Sequence, residues 1–331
     1  MLHSERLFSR AAAALADAAR DAVKASLDLF TVMIPVIVVV KVLQELDLIR
    51  PLARPLEPLM RLVGLPAEMG LVWAASLLNG IYAAVMVFLQ LLQQEGGSLS
   101  VAQTTTLATL MLIAHALPVE CGIARKCGAR FPVQALIRVG AALLFGVIWN
   151  GATGVLGVLK EPAAVSPALL GAHETAGWTA WLLGEARQLL AVVLIIFSLM
   201  VMMKVLKALG ILERISRAMA PVMRMIGVGE RASTITMIGI TLGISYGSGL
   251  IIRDARSGEM SPEEVFSALS FMGICHSLIE DTLLMMTLGA SVWGMLGLRV
   301  PLCLGLTALL VRLLTRLPET TKGRFLWVKR P

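Results

Sequence analysis

Charge is scarce in this chain of 331 residues: Asp, Glu, Lys and Arg make up 15% of it, against about a quarter in a soluble domain. That shortage, with 57% hydrophobic residues and a mean hydropathy of +0.81, excludes a soluble globular protein, which could not hide so much apolar surface. Tyrosine is nearly missing, at 2 residues, so anchoring at the membrane interface falls mainly to the 6 tryptophans. No long stretch alternates polar and apolar residues, which sets aside a membrane β-barrel. The 4 cysteines, Cys121, Cys127, Cys275 and Cys303, form no CxxC pair, so neither a zinc ribbon nor a redox couple is expected, only reduced buried thiols. There is no G-x-x-x-x-G-K-[ST] and no H-E-x-x-H, which removes a P-loop nucleotidase and a helical zinc protease. No long run of Lys and Arg is interleaved with aromatics. The net charge of +7 therefore belongs to loops beside membrane spans, and nucleic acid is not an expected partner. A G-x-S-x-G pattern does occur at Gly243, Ser245 and Gly247. It lies in a glycine-rich apolar run and not at a strand–turn–helix elbow, so no enzyme and no cofactor is expected.

An internal repeat is present. Residues 41–64, KVLQELDLIRPLARPLEPLMRLVG, align without a gap on 204–227, KVLKALGILERISRAMAPVMRMIG, with 9 of 24 positions identical. The match resumes two residues out of step. Ser100 then pairs with Ser261, Met111 with Met272, Ile113 with Ile274, His115 with His276, Glu120 with Asp281 and Gly128 with Gly289. Shared apolar composition does not explain the matched His, carboxylate and Gly positions. The expected fold class is all-α: a polytopic helical membrane protein of two homologous halves, each of about four spans, with amphipathic interfacial helices and broken helices. The expected organisation is an N-terminal amphipathic helix (1–26), a first repeat (27–157), a linker (158–186), a second repeat (187–315) and a basic tail (316–331). Ser100 with Gln103, and Ser261 with Glu264, read as capping boxes that open the helices carrying the histidines. Orientation is left open. The tail's Arg316, Lys322, Arg324, Lys329 and Arg330 argue for the cytoplasm, yet Arg50, Arg54, Arg61, Arg125, Lys126 and Arg130 would fall outside on eight simple spans. Either some segments re-enter or the amphipathic helices distort the count. An odd number of crossings per half makes the repeats inverted, an even number parallel.

The chemistry sits at the matched interruptions. A buried ionisable residue costs about 2.5–3.5 kcal/mol on insertion scales, so it persists where it faces protein or a wet cavity. Pro118 removes a backbone donor and clashes with the carbonyl of Ala114, so the helix kinks or stops there. Paired interruptions in two repeats point to a transporter site. His115, Glu120, His276, Glu280 and Asp281 are therefore expected to converge near the repeat axis as a substrate site or proton relay. Asn79, Ser245 and Ser248 are further candidate ligands, and Gly80, Gly247 and Gly249 further helix-break positions. A metal role is open, with His115, Glu120, Cys121, Cys127, Cys275, His276 and Asp281 as the donors in play, in no standard spacing.

On the L-x-P-L-M-R-L-V-G and M-x-P-V-M-R-M-I-G stretches, and on the later H-A-L-P-x-E and H-S-L-I-E-D segments, the chain resembles the nucleoside-recognition, or gate-domain, family of bacterial membrane proteins. That family includes spore maturation proteins, and its gate domain is shared with nucleoside and ferrous iron transporters. The resemblance covers 41–150 and 204–314, one copy per half. It implies a multi-pass protein of the bacterial inner membrane that handles a small polar solute, nucleosides first among them. The expected function is a permease. The alternatives are a non-transporting scaffold or accessory subunit, and a divalent-metal permease. Expected partners are the lipid bilayer, a small-molecule substrate, and either a second copy or a membrane partner protein.

Overall fold

A computed structural model describes residues 2–95, 98–167, 169, 177–229, 232–233, 236, 239 and 244–327. Among them there is no strand, only two isolated backbone bridges, Ser100 with Pro162 and Ala129 with Trp327. The first half begins with α1 (Leu2–Glu45), which merges the expected N-terminal helix and first span into one helix. The short helices α2 (Ile49–Ala53) and α3 (Glu57–Leu62) follow, then α4 (Met69–Asn79), α5 (Ile81–Glu95), α6 (Val101–Ile113), α7 (Leu117–Lys126) and α8 (Phe131–Leu156). The second half holds α9 (Gly177–Ala208), the amphipathic α10 (Ile211–Met225), α11 (Ile244–Arg256), α12 (Pro262–Ile274) and α13 (Glu280–Met286). A π-helical turn (Trp293–Leu298) leads into α14 (Arg299–Arg316), and α15 (Glu319–Phe325) closes the described chain. Both capping boxes form: Ser100 with Gln103 opens α6, and Ser261 with Glu264 opens α12.

Two straps fix the direction of the halves. Residues 159–166 run past the start of α6, where Val101 donates to Glu161 O at 2.9 Å and Ala163 to Leu99 O at 2.8 Å. The same strap reaches the end of α13, where Ser166 donates to Thr287 O at 2.7 Å. At that point Gly289 has φ +87, and a Cβ there would lie 2.9 Å from Ala164 N, so only glycine lets the strap approach. On the other face, residues 322–327 tie the end of α7 to the start of α12. Arg130 donates to Leu326 O at 2.9 Å, Lys322 Nζ to Glu263 at 3.1 Å, and Trp327 meets Phe266 edge-on at 6.3 Å. So α6–α7 runs from the linker face to the tail face, and α12–α13 runs back. The repeats are inverted.

Among the described residues, five helices are long and apolar enough to cross a membrane: Ser26–Glu45, Val101–Lys126, Phe131–Leu156, Thr179–Ala208 and Trp293–Arg316. The broken pair α12–α13 supplies a sixth crossing by its match to α6–α7. The expected second span of the first half does not cross. It is two short helices folded back on each other at Gly80 (φ +103). α4 descends beside α6, with Gln103 Nε2 donating to Gly64 O at 3.2 Å, Trp73 Nε1 to Leu110 O at 3.2 Å and Ala116 N to Ser76 O at 2.9 Å. α5 then returns to the linker face. The first half makes three crossings, and the described residues of the second half supply three, α9, α12–α13 and α14; an odd number per half agrees with the inversion. Most of the second half's equivalent hairpin lies outside the described residues. The α6–α7 span is buried over 72% of its apolar window, and the other four spans over 17–33%. The broken helices therefore form the centre, and α1, α8, α9 and α14 turn apolar faces to lipid, as Leu136, Val155 and Leu190 show by their exposure.

The tail clasp makes a testable point. The carboxylates of Glu319 and Glu263 raise the Lys322 pKa above its ordinary 10.5. A raised pKa means the clasp is fully present below that ordinary value and is lost only as pH rises through the folded one, so it holds across the neutral range. Lys322→Gln is expected to free α15 and speed tryptic cleavage at Arg324 several-fold, with the bundle's melting unchanged; equal cleavage rates would mean that Trp327 and the backbone bridge hold the tail alone.

Candidate functional site

Each central helix stops and restarts halfway. α6 ends at Ile113, Ala116 takes a left-handed conformation (φ 43, ψ 39), and α7 begins at Leu117. α12 ends at Ile274, Ser277 is left-handed (φ 46), and α13 begins at Glu280. Pro118 sits in the first turn of α7, where a missing donor costs nothing. Its counterpart is Ile279, so proline helps the first break but is not what both breaks share.

What they share is an arginine. A helix that ends in apolar surroundings leaves its last carbonyls without partners. Arg138 Nε donates to Ile113 O at 2.9 Å, and Arg299 Nε donates to Ile274 O at 3.0 Å. Arg299 also reaches Leu112 O and His276 O, each at 3.2 Å, so its fork holds carbonyls of both repeats. Both side chains are almost fully buried, at 2% and 0% exposure. Arg138 Nη1 forms an ion pair with Glu120 Oε2, itself buried at the first turn of α7, where a negative charge also suits the helix dipole.

The two histidines meet between the breaks. His115 Nδ1 lies 2.8 Å from Met111 O, and His276 Nδ1 lies 2.8 Å from Met272 O. A carbonyl oxygen only accepts, so each Nδ1 carries its proton, and in the neutral ring each Nε2 is left as an acceptor. The two Nε2 atoms are 3.1 Å apart. Glu120 Oε1 is 3.2 Å from one and 3.3 Å from the other. Three acceptors thus point at one another in a buried place, and a positive charge or a shared proton between them is needed to make the arrangement favourable. Asp281, the repeat partner of Glu120, approaches from the other half: a carboxylate oxygen and a nitrogen of each histidine lie within 4.8 Å of one another. The halves differ here. Glu120 has an arginine, whereas the Arg299 fork is spread over three carbonyls.

The structure brings together His115, Glu120, His276 and Asp281 from the expected set. Glu280 does not join them; it lines a small separate cavity of about 30 Å³ with Met203, Leu212 and Leu278. Asn79 is exposed at the end of α4 and lines an apolar cleft of about 510 Å³ between α1 and α4, with Pro35, Val39 and Ala75. Gly80 turns the hairpin beside the first break, where a Cβ would stand 3.7 Å from Ala116 Cβ. Ser248 is half-buried on α11, and Gly249 faces open space there. The side chain of Ser245 and the setting of Gly247 lie outside the described residues. The four cysteines are free and buried, and none belongs to the donor group formed by the histidines and Asp281. Arg138 and Arg299 are absent from the expected set. Their signal was available, since they share the offset of the histidine pair in otherwise apolar helices.

The gate pattern, described as nucleoside recognition, matches residues 189–299. An uncharacterized membrane protein of Bacillus subtilis strain 168, YvoD, is 30% identical over 282 residues, covering 83% of this chain and 87% of that protein. No solved structure matches.

Proposed function

This chain belongs to the gate, or nucleoside-recognition, family of membrane proteins, and from that premise we propose that it is a permease for a small polar solute, nucleoside-like compounds first. The observation that carries the reading is the meeting of two repeat-related helix breaks at mid-depth, with His115 and His276 Nε2 at 3.1 Å. Inverted repeats with discontinuous helices are the architecture in which one site can be offered to either side by rocking one half against the other. Arg138 and Arg299 have a structural use as helix caps, but a scaffold would have no use for two imidazole lone pairs and a carboxylate aimed at one buried point, where an ionised group costs about 2.5–3.5 kcal/mol on insertion scales. The acceptor-rich cluster suits solutes that bring N–H and O–H donors.

The membrane is read as a bacterial inner membrane with the tail face inside. That face gathers Arg125, Lys126, Arg130, Arg253, Arg256, Arg316 and Arg324, while the linker face holds fewer basic residues, among them Arg50, Arg54, Arg61 and Lys160. The inverted arrangement thereby brings Arg125, Lys126 and Arg130 to the side of the tail, while Arg50, Arg54 and Arg61 stay on the opposite face as the minority of the basic residues.

The test is uptake into proteoliposomes of radiolabelled nucleosides and a panel of other small polar solutes, with and without an imposed proton gradient. At least one solute should enter well above empty vesicles, and entry should fall at least tenfold in a monodisperse His115→Ala/His276→Ala variant. Equal uptake by that variant would detach transport from the cluster, and no uptake of any solute would favour the scaffold reading.

A further inference from the structure

We propose that the histidine pair and its carboxylates form a binding site for one divalent transition-metal ion, with His115 Nε2, His276 Nε2 and Glu120 Oε1 as one face of the coordination shell and Asp281 as the fourth donor. The proposal does not depend on transport; it holds whether or not the chain moves a solute.

Geometry carries it first. The three donor atoms form a triangle with edges of 3.1, 3.2 and 3.3 Å. Such a triangle is a face of a tetrahedron whose centre is about 2.0 Å from each corner, the range of zinc–imidazole and zinc–carboxylate bonds. A carboxylate oxygen of Asp281 and a nitrogen of each histidine lie within 4.8 Å of one another, so Asp281 is the residue of the other half placed to close in as the fourth donor. The donors come from both breaks, so an ion here would join the two repeats at their axis.

Protonation carries it second. Both Nδ1–H groups are fixed on carbonyls one helical turn earlier, Met111 O and Met272 O. That contact selects the tautomer with a free Nε2 lone pair and fixes the ring plane, as outer-shell partners of metal-binding histidines do. An apolar lining would have no reason to aim two lone pairs and a carboxylate at one point. Charge is consistent too. Glu120 shares its charge with Arg138 through its other oxygen, and Arg299 is engaged by the carbonyl ends of α6 and α12, so the charge of Asp281 does most to offset the ion. The donor set, imidazole and carboxylate without thiolate, suits zinc, ferrous iron, manganese or cobalt more than cuprous copper.

The experiment is a cobalt titration of full-length protein in detergent after removal of metals by a chelator. Visible ligand-field absorption should saturate at one ion per chain, and zinc should displace the cobalt. His276→Ala, and separately the gentler His276→Gln, should weaken binding at least 100-fold, while Glu57→Gln on α3 leaves it unchanged. Circular dichroism of each variant separates lost binding from lost folding. A folded wild type with no cobalt spectrum at saturating metal overturns the proposal, as do variants that bind like wild type; in both cases a shared proton fills the triangle instead. Solute uptake in metal-free vesicles by a protein that binds no metal would overturn the metal site and leave the permease. Stoichiometric cobalt with no uptake of any solute would do the reverse.

Discussion

Replacing Arg299 with methionine is expected to cost the fold about 3–5 kcal/mol, the range for stranding the partners of a buried charge. The side chain is fully buried and serves Ile274 O, Leu112 O and His276 O. Methionine fills similar volume but donates nothing, so three carbonyls at two helix ends lose a charged donor, at about 1–3 kcal/mol for each group left bare. The check is the midpoint of thermal denaturation in detergent, which should fall by many degrees with the transition broadened. Lysine should rescue little, because a point ammonium cannot span three carbonyls as a planar fork can. A wild-type midpoint for Arg299→Met would show that the ends of α6 and α12 are satisfied by something else.

The second large effect concerns Glu120. Glu120→Leu leaves Arg138 charged, buried and without its ion pair, and should destabilise by a similar 3–5 kcal/mol. Adding Arg138→Met removes the stranded charge. The double variant is therefore expected to be more stable than Glu120→Leu alone, though still below wild type because Ile113 O loses its donor. Chemical denaturation of both single variants and the double variant closes the cycle. Simple additivity of the two losses would mean that the carboxylate and the guanidinium do not act as a pair. Both single variants should also lose cobalt binding, because Glu120 is a proposed ligand and Arg138 sets its position.

Much of this was legible in the sequence. The repeat, the capping boxes, the paired breaks and the convergence of His115, Glu120, His276 and Asp281 follow from matched residues at a fixed offset. Topology was less legible. Residues 70–93 are apolar and long enough to span, and nothing in their composition separates a crossing from a hairpin folded at Gly80. That distinction rests on which neighbour each end meets, a long-range property. Glu280 was misplaced for a local reason. It adjoins Asp281, but neighbours on a helix point about 100° apart, so the pair cannot share one target. Arg138 and Arg299 are hard to read for another reason: basic residues beside apolar runs look like loop markers, and here two of them are internal caps.

The mid-depth position of the breaks has an electrical consequence. α6 has 13 residues and α7 has 10, so at about 1.5 Å per residue the cluster sits near the middle of the voltage drop. One elementary charge crossing the whole drop gains about 2.3 kcal/mol per 100 mV. A dication travelling half of it from the outer face gains about the same, close to fifty-fold in occupancy. For the ion and the orientation proposed above, an interior-negative membrane would fill the site more readily from outside, and discharge of the membrane alone would loosen the hold.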